Sequence, residues 1–103
     1  MNSEKRKKLE SKGWKVKSAS EFLGLTKDEE AIIELRLALS DELKKQRLEK
    51  QLTQESFAKM LSSSQSRVAK MESGDPSVSF DLLIRSLFKA GIDKRRLSKI
   101  IAL

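Results

Sequence analysis

The stretch Thr53–Glu72, reading TQESFAKMLSSSQSRVAKME, constrains this chain more than any other. It divides into a short helix, a tight polar turn and a second short helix. Thr53 is placed to cap the first helix, its hydroxyl accepting from a free N–H of the first turn. Phe57, Met60 and Leu61 then recur at helical spacing, with the small Ala58 beside them. Ser62, Ser63 and Ser64 interrupt the pattern, because serine hydroxyls compete for nearby backbone groups and favour turns and caps. The second helix is expected from about Gln65 to Ser73, with Gly74 as its left-handed stop. Val68 and Met71 make its buried stripe. Gln65, Ser66, Ala69 and Lys70 make its other face, with Arg67 on the flank.

That polar face suits a nucleic-acid duplex. A helix of this width fits the major groove of B-DNA, where amide and cationic side chains read base edges. No carboxylate lies between Glu55 and Glu72 to meet phosphate. Gln65 matches adenine N6/N7, and Lys70 reaches guanine O6/N7. The plainer reading is a helical hairpin with a solvated face. The cap, the small residue and the turn, all within twenty residues, favour DNA reading over it.

On Leu52-Thr53-Gln54, Ala58, Ser64-Gln65-Ser66, Val68, Met71-Glu72 and Gly74, the stretch resembles the helix-turn-helix of the Cro/repressor class, the XRE family. Pro76-Ser77-Val78 and the Leu82-Leu83 helix fit the same pattern, so the resemblance spans about residues 40–90. It implies that Gln54 binds a DNA phosphate and that Ser64, Gln65, Ser66 and Lys70 face base edges. It also implies a buried ion bridge between Arg47 and Glu72. The family commonly has Gly where this chain has Gln51 and Ser62. Both places usually take a left-handed backbone, which costs a residue other than glycine about 1 kcal/mol.

Composition narrows the remaining possibilities. The 103 residues suffice for one small domain with one modest core. There is no Cys, hence no disulfide or thiolate metal site, and no His, the usual general base and metal ligand. A single proline and four glycines suit a mainly helical chain. The net charge of +7 favours an anionic partner. No apolar run approaches the ~18 residues of a membrane span, and the N-terminus lacks a signal-peptide core. A cytoplasmic protein, nucleoid-associated when bound to DNA, is expected.

Residues 1–26 read as a basic N-terminal arm. Met1–Lys17 contributes +5 of the net +7. The lysine run reads equally as a solvated tail, a DNA-gripping arm or an extension that wraps an acidic protein. Trp14, beside Val16, is either a partner anchor or a residue folded back onto the core. Ser18 or Ser20 caps a short turn bearing Phe22 and Leu23, and Gly24 closes it. Trp14, Val16, Phe22 and Leu23 are the candidate partner-binding residues.

Residues 27–103 read as the helical DNA-binding domain, with the helix-turn-helix at about 53–73. Thr26 and Glu29 form a capping box. Ile32, Ile33, Leu35, Leu39, Leu43 and Leu48 then mark one drifting face. Ser40-Asp41 offers a second cap that would split this helix, but no Gly or Pro intervenes, which favours one helix from Lys27 to about Lys50. Ser79 caps a later helix with Phe80, Leu83, Leu87 and Phe88 as its stripe, and Gly91 ends it. Asp93 caps a last helix whose Leu97, Ile100 and Ile101 form an edge for dimerisation or core closure.

Gly13-Trp14-Lys15-Val16, Glu21-Phe22-Leu23-Gly24-Leu25 and the IELRLALS run at 33–40 make the chain similar to HigA-like antitoxins of bacterial toxin–antitoxin pairs. That resemblance implies a toxin partner, often an RNA-cleaving enzyme, and repression of the protein's own operon.

No enzyme is expected. The serine run has no His partner, and the consecutive Asp28, Glu29 and Glu30 point in different directions along a helix rather than at one metal. The expectation is therefore an all-α, five-helix Cro/repressor-like helix-turn-helix domain with a basic N-terminal extension. It would bind double-stranded DNA as a homodimer without cofactor or metal. Ser64, Gln65, Ser66 and Lys70 would read bases, and Lys44, Arg47, Thr53, Gln54 and Arg67 would hold phosphates. The alternatives are a regulator without a toxin, a protein-bridging module that kept the helix pair but lost base reading, and a binder of structured RNA. The basic arm hints at the last, and the helix pair argues against it, since the deep A-form major groove excludes side chains.

Overall fold

A computed structural model of the chain describes residues 21–102. Within them all regular structure is helical. Residues 21–23 are helical, and five longer helices follow: α1 (Lys27–Glu49), α2 (Gln54–Met60), α3 (Gln65–Ser73), α4 (Phe80–Lys89) and α5 (Lys94–Ala102). Trp14, Val16 and the basic run 1–17 lie outside the described residues. Two compact units divide between Leu35 and Arg36.

In the first unit the capping box forms as its sequence suggests. The Glu29 N–H donates to Thr26 Oγ1 at 3.2 Å, and the Thr26 N–H reaches back to Glu29 Oε1 at 3.4 Å. Asp28, Glu29 and Glu30 occupy the first turn of α1, where carboxylates complement the helix dipole. Helix α1 is unbroken through Ser40-Asp41, since neither residue removes a backbone donor.

The second unit holds the core. Leu39 and Leu43 of α1 join Phe57, Ala58 and Leu61 from α2 and its end, Val68 and Met71 of α3, and Leu83 and Leu87 of α4. Val78, Ala90, Ile92 and Ile100 close it. The expected α1 stripe is too long. Ile32, Ile33 and Leu48 are exposed. The residue four after Leu43 is Arg47, and Leu48 lies about 100° further round the helix. Met60, Phe88 and Ile101 are likewise exposed members of their predicted stripes.

Helix starts are set by side-chain oxygens, and reversals by left-handed residues. Thr53, Ser64 and Ser79 accept from the N–H three residues on, at 3.1, 3.2 and 3.1 Å. Asp93 does the same for Arg96 at 2.8 Å. Gln51 and Ser62, on either side of α2, have φ of 57° and 54°. This is the left-handed backbone that the resemblance implies at both positions. Gly74 is required twice over. Its φ is 75°, and a Cβ there would sit 3.0 Å from Leu37 Cδ2.

Cations tie distant segments together. Arg36 donates to the carbonyls of Asp75 and Val78 and stacks 4.5 Å from the Phe80 ring centroid, fixing the turn after α3. In that turn the Asp75 carboxylate accepts from the Ser77 N–H at 2.8 Å, the main cause of its lowered pKa. Lys89 donates to the Leu61 carbonyl at 3.2 Å, satisfying a free acceptor at the end of α2. Arg96 forks onto both oxygens of Glu42 at 3.1 Å each, joining α5 to α1.

Two measurements follow from these features. Gln51→Gly and Ser62→Gly are each expected to raise unfolding free energy by up to about 1 kcal/mol in urea titrations, since glycine relieves the left-handed strain. An unchanged or lower midpoint would refute the strain argument. For Glu42, burial raises the carboxyl pKa, but hydrogen bonds from Arg96 and Gln46 and the charges of Arg96 and Lys45 outweigh it, leaving the pKa below 4.5. Its contribution is therefore complete above 4.5 and is lost as pH falls through the lowered folded value. Glu42→Gln should be less stable at neutral pH and lose less stability than wild type on acidification, as read from denaturation midpoints across that range.

Candidate nucleic-acid interface

The interface is built where α2 and α3 pack against each other. Ala58 of α2 is small and buried, as are Val68 and Met71 of α3 buried, and a small side chain there lets the two short helices approach closely. Ser62 turns the chain left-handed, the Ser63 N–H returns to the Ala58 carbonyl at 2.8 Å, and Ser64 starts α3. With Val68, Met71 and Glu72 facing inward, the helical period leaves Gln65, Ser66 and Lys70 exposed and Ala69 partly so. These are the side chains that the sequence assigned to the outer face.

A chain of polar contacts runs outward from the core to this face. The guanidinium of Arg47 donates through Nε to Glu72 Oε2 at 2.7 Å and through Nη2 to Glu72 Oε1 at 3.0 Å. Its Nη1 donates to the Leu52 carbonyl at 2.9 Å. Both side chains are largely out of water, 12% exposed for Arg47 and 3% for Glu72. The same Glu72 Oε1 accepts from Gln54 Nε2 at 3.2 Å, and Gln54 Oε1 accepts from Gln65 Nε2 at 2.9 Å. Arg47, Thr53, Gln54 and Gln65 share one shallow, open depression between α2 and the start of α3.

The candidate residues separate into distinct roles. Arg47 is committed inward as a brace, matching the ion bridge implied by the resemblance, and its fork is occupied by Glu72 and Leu52. The Thr53 hydroxyl accepts from the Ser56 N–H and donates to Ser56 Oγ, so its capping duty uses both of its functions. Ser64 Oγ caps Arg67 and lies 3.3 Å from Ser66 Oγ. Lys44 and Arg67 are exposed on α1 and α3. Phe22 and Leu23 are exposed within the first unit, 89% and 65%. Lys59, which sequence reasoning passed over, lines the depression beside Gln54 and Gln65. No spacing marks it, because it joins the group only through the crossing of α2 and α3.

A family model for helix-turn-helix segments matches residues 43–85, which run from the middle of α1 into α4. The match covers the α2–turn–α3 unit and falls within the span, about residues 40–90, of the XRE-type resemblance read from the sequence. No curated protein and no solved structure matches the chain. Among the described residues no helix is long and apolar enough to cross a membrane.

The Arg47–Glu72 bond generates a stability prediction. Glu72→Ala leaves a largely buried guanidinium unpaired and should cost about 3–5 kcal/mol, a large share of the stability of a domain this size. The double variant Arg47→Met, Glu72→Leu should cost much less, because no charge is stranded. Chemical denaturation of the two variants checks this; a double variant that loses as much stability as Glu72→Ala would refute the pairing.

Proposed function

We propose that this protein is a sequence-specific DNA-binding transcriptional repressor with a Cro/repressor-like helical domain. The observation that carries the reading is the exposed α3 face of Gln65, Ser66 and Lys70, free of carboxylates and mounted on a capped, ion-braced helix pair. In this reading α3 lies in the major groove, Gln65 and Lys70 read base edges, and Gln54, Lys44, Arg67 and Lys59 meet phosphates. One such helix reads few base pairs. A homodimer on an inverted repeat, with half-sites about one helical turn apart, supplies the rest, and occupancy of a promoter represses transcription. The role is binding rather than catalysis, since the chain has neither His nor Cys to serve as base, nucleophile or soft metal ligand.

The proposal extends to an antitoxin that neutralises a ribonuclease-type toxin and autoregulates its operon. The sequence resemblance to HigA-like proteins supports this extension, as do Phe22 and Leu23, large apolar side chains left in water.

Two experiments separate the parts. The purified chain should prefer a duplex from its own upstream region over random duplex at moderate salt. Gln65→Ala and Lys70→Ala should each cost about 1–3 kcal/mol on the preferred site and little on random duplex. Equal binding of both duplexes by the wild type would overturn the repressor reading. Independently, the neighbouring reading frame should arrest growth when expressed alone and cease to do so with this chain; the absence of arrest would overturn the antitoxin extension.

A further inference from the structure

A glutamine amide offers two N–H donors and one carbonyl acceptor, and its effect on a base edge depends on which end faces out. In this chain that choice is not free. A carboxylate can only accept, and Glu72 already receives two donors of Arg47, which fix its plane. Gln54 can therefore meet Glu72 only with its nitrogen, as it does at 3.2 Å. Its oxygen is then turned outward, where it accepts from Gln65 Nε2 at 2.9 Å. Gln65 has thus given up one of its two N–H groups. It presents one remaining N–H and its carbonyl oxygen.

We propose that Glu72 is a positioning residue that sets the base preference of Gln65 by fixing the direction of this hydrogen-bond relay through Gln54. Adenine shows an acceptor at N7 and a donor at N6, the complement of one N–H and one carbonyl. Guanine shows two acceptors, N7 and O6, and asks for two donors that Gln65 no longer has. The relay therefore selects adenine over guanine from a carboxylate that touches no DNA. A neutral glutamine at position 72 could offer either end of its amide to Gln54, so the direction of the whole relay would no longer be imposed.

The inference rests on the DNA-reading proposal, and its test keeps the two apart. The full chain first selects its preferred duplex from a randomised pool. The position whose preference vanishes in Gln65→Ala is the one that Gln65 reads. There the wild type should favour adenine over guanine by about tenfold or more. In Glu72→Gln this ratio should fall toward unity, while the preference lost in Lys70→Ala should persist. That persistence, with unchanged helical circular dichroism, separates a relay effect from general loosening of the fold. Gln54→Met, which leaves the Arg47–Glu72 bond intact, should abolish the same ratio and decides the question if Glu72→Gln unfolds. Retention of the wild-type adenine-to-guanine ratio in the folded variants overturns the inference and leaves the DNA reading standing. A wild type that selects no sequence at all overturns both.

Discussion

Helix α3 has only two apolar side chains, Val68 and Met71, fully inside the core, and α2 is barely two turns long. Neither would persist as an isolated helix, because nucleation is too costly at these lengths. The bidentate bond between Arg47 and Glu72 supplies what the small core cannot. It joins the end of α3 to α1, and through Nη1 it also holds the Leu52 carbonyl where the chain leaves α1 for α2. A planar guanidinium suits this place better than a lysine ammonium, since three directed donors are used at once. Taking two charges out of water is expensive, and apolar residues of the same volume would pack there at less cost. What apolar residues cannot do is orient Gln54. The ion pair thus orients Gln54 as well as bracing the helices.

The two left-handed residues, Gln51 and Ser62, show how the surrounding structure overrides local preference. Each bears a side chain in a backbone region suited to glycine, and each lies at an end of α2. Both reversals are held by bonds across them, from the Leu52 N–H to the Arg47 carbonyl and from the Ser63 N–H to the Ala58 carbonyl. The caps on Thr53 and Ser64 then start the next helix in a defined direction. Strain of this kind is tolerated because a few kilocalories are spread over a cooperative unit that includes Phe57, Leu61, Val68 and Met71.

Long cations do comparable work at the edges of the second unit. Arg36 holds the turn after α3, Lys89 satisfies the end of α2, and Arg96 fastens α5 to Glu42. Three cations are thereby withdrawn from the pool that the net charge alone would assign to an anionic partner. The exposed Lys44, Lys59, Arg67 and Lys70 remain on α1, α2 and α3. Charge count thus overstates the surface available to phosphate, and the distribution of partners within the fold corrects it.

The amino-acid sequence alone determined the helical character of the chain, its helix starts, the stop at Gly74 and the inward and outward faces of α3. Each of these rests on local physics: a hydroxyl within reach of an N–H three residues on, a 3.6-residue period, a backbone angle that glycine alone adopts freely. It also carried the Arg47–Glu72 pairing, though only by resemblance, because twenty-five residues separate the partners and no spacing rule links them. Tertiary structure decided which members of the apolar stripes are buried, leaving Leu48, Met60, Phe88 and Ile101 in water. It also paired the Arg47 guanidinium with Glu72 and the Leu52 carbonyl, set Lys59 and Gln65 on one depression and gave the Gln54–Gln65 relay its direction. Those outcomes depend on how helices cross and on which single partner an acceptor faces, quantities that exist only once distant parts of the chain have met.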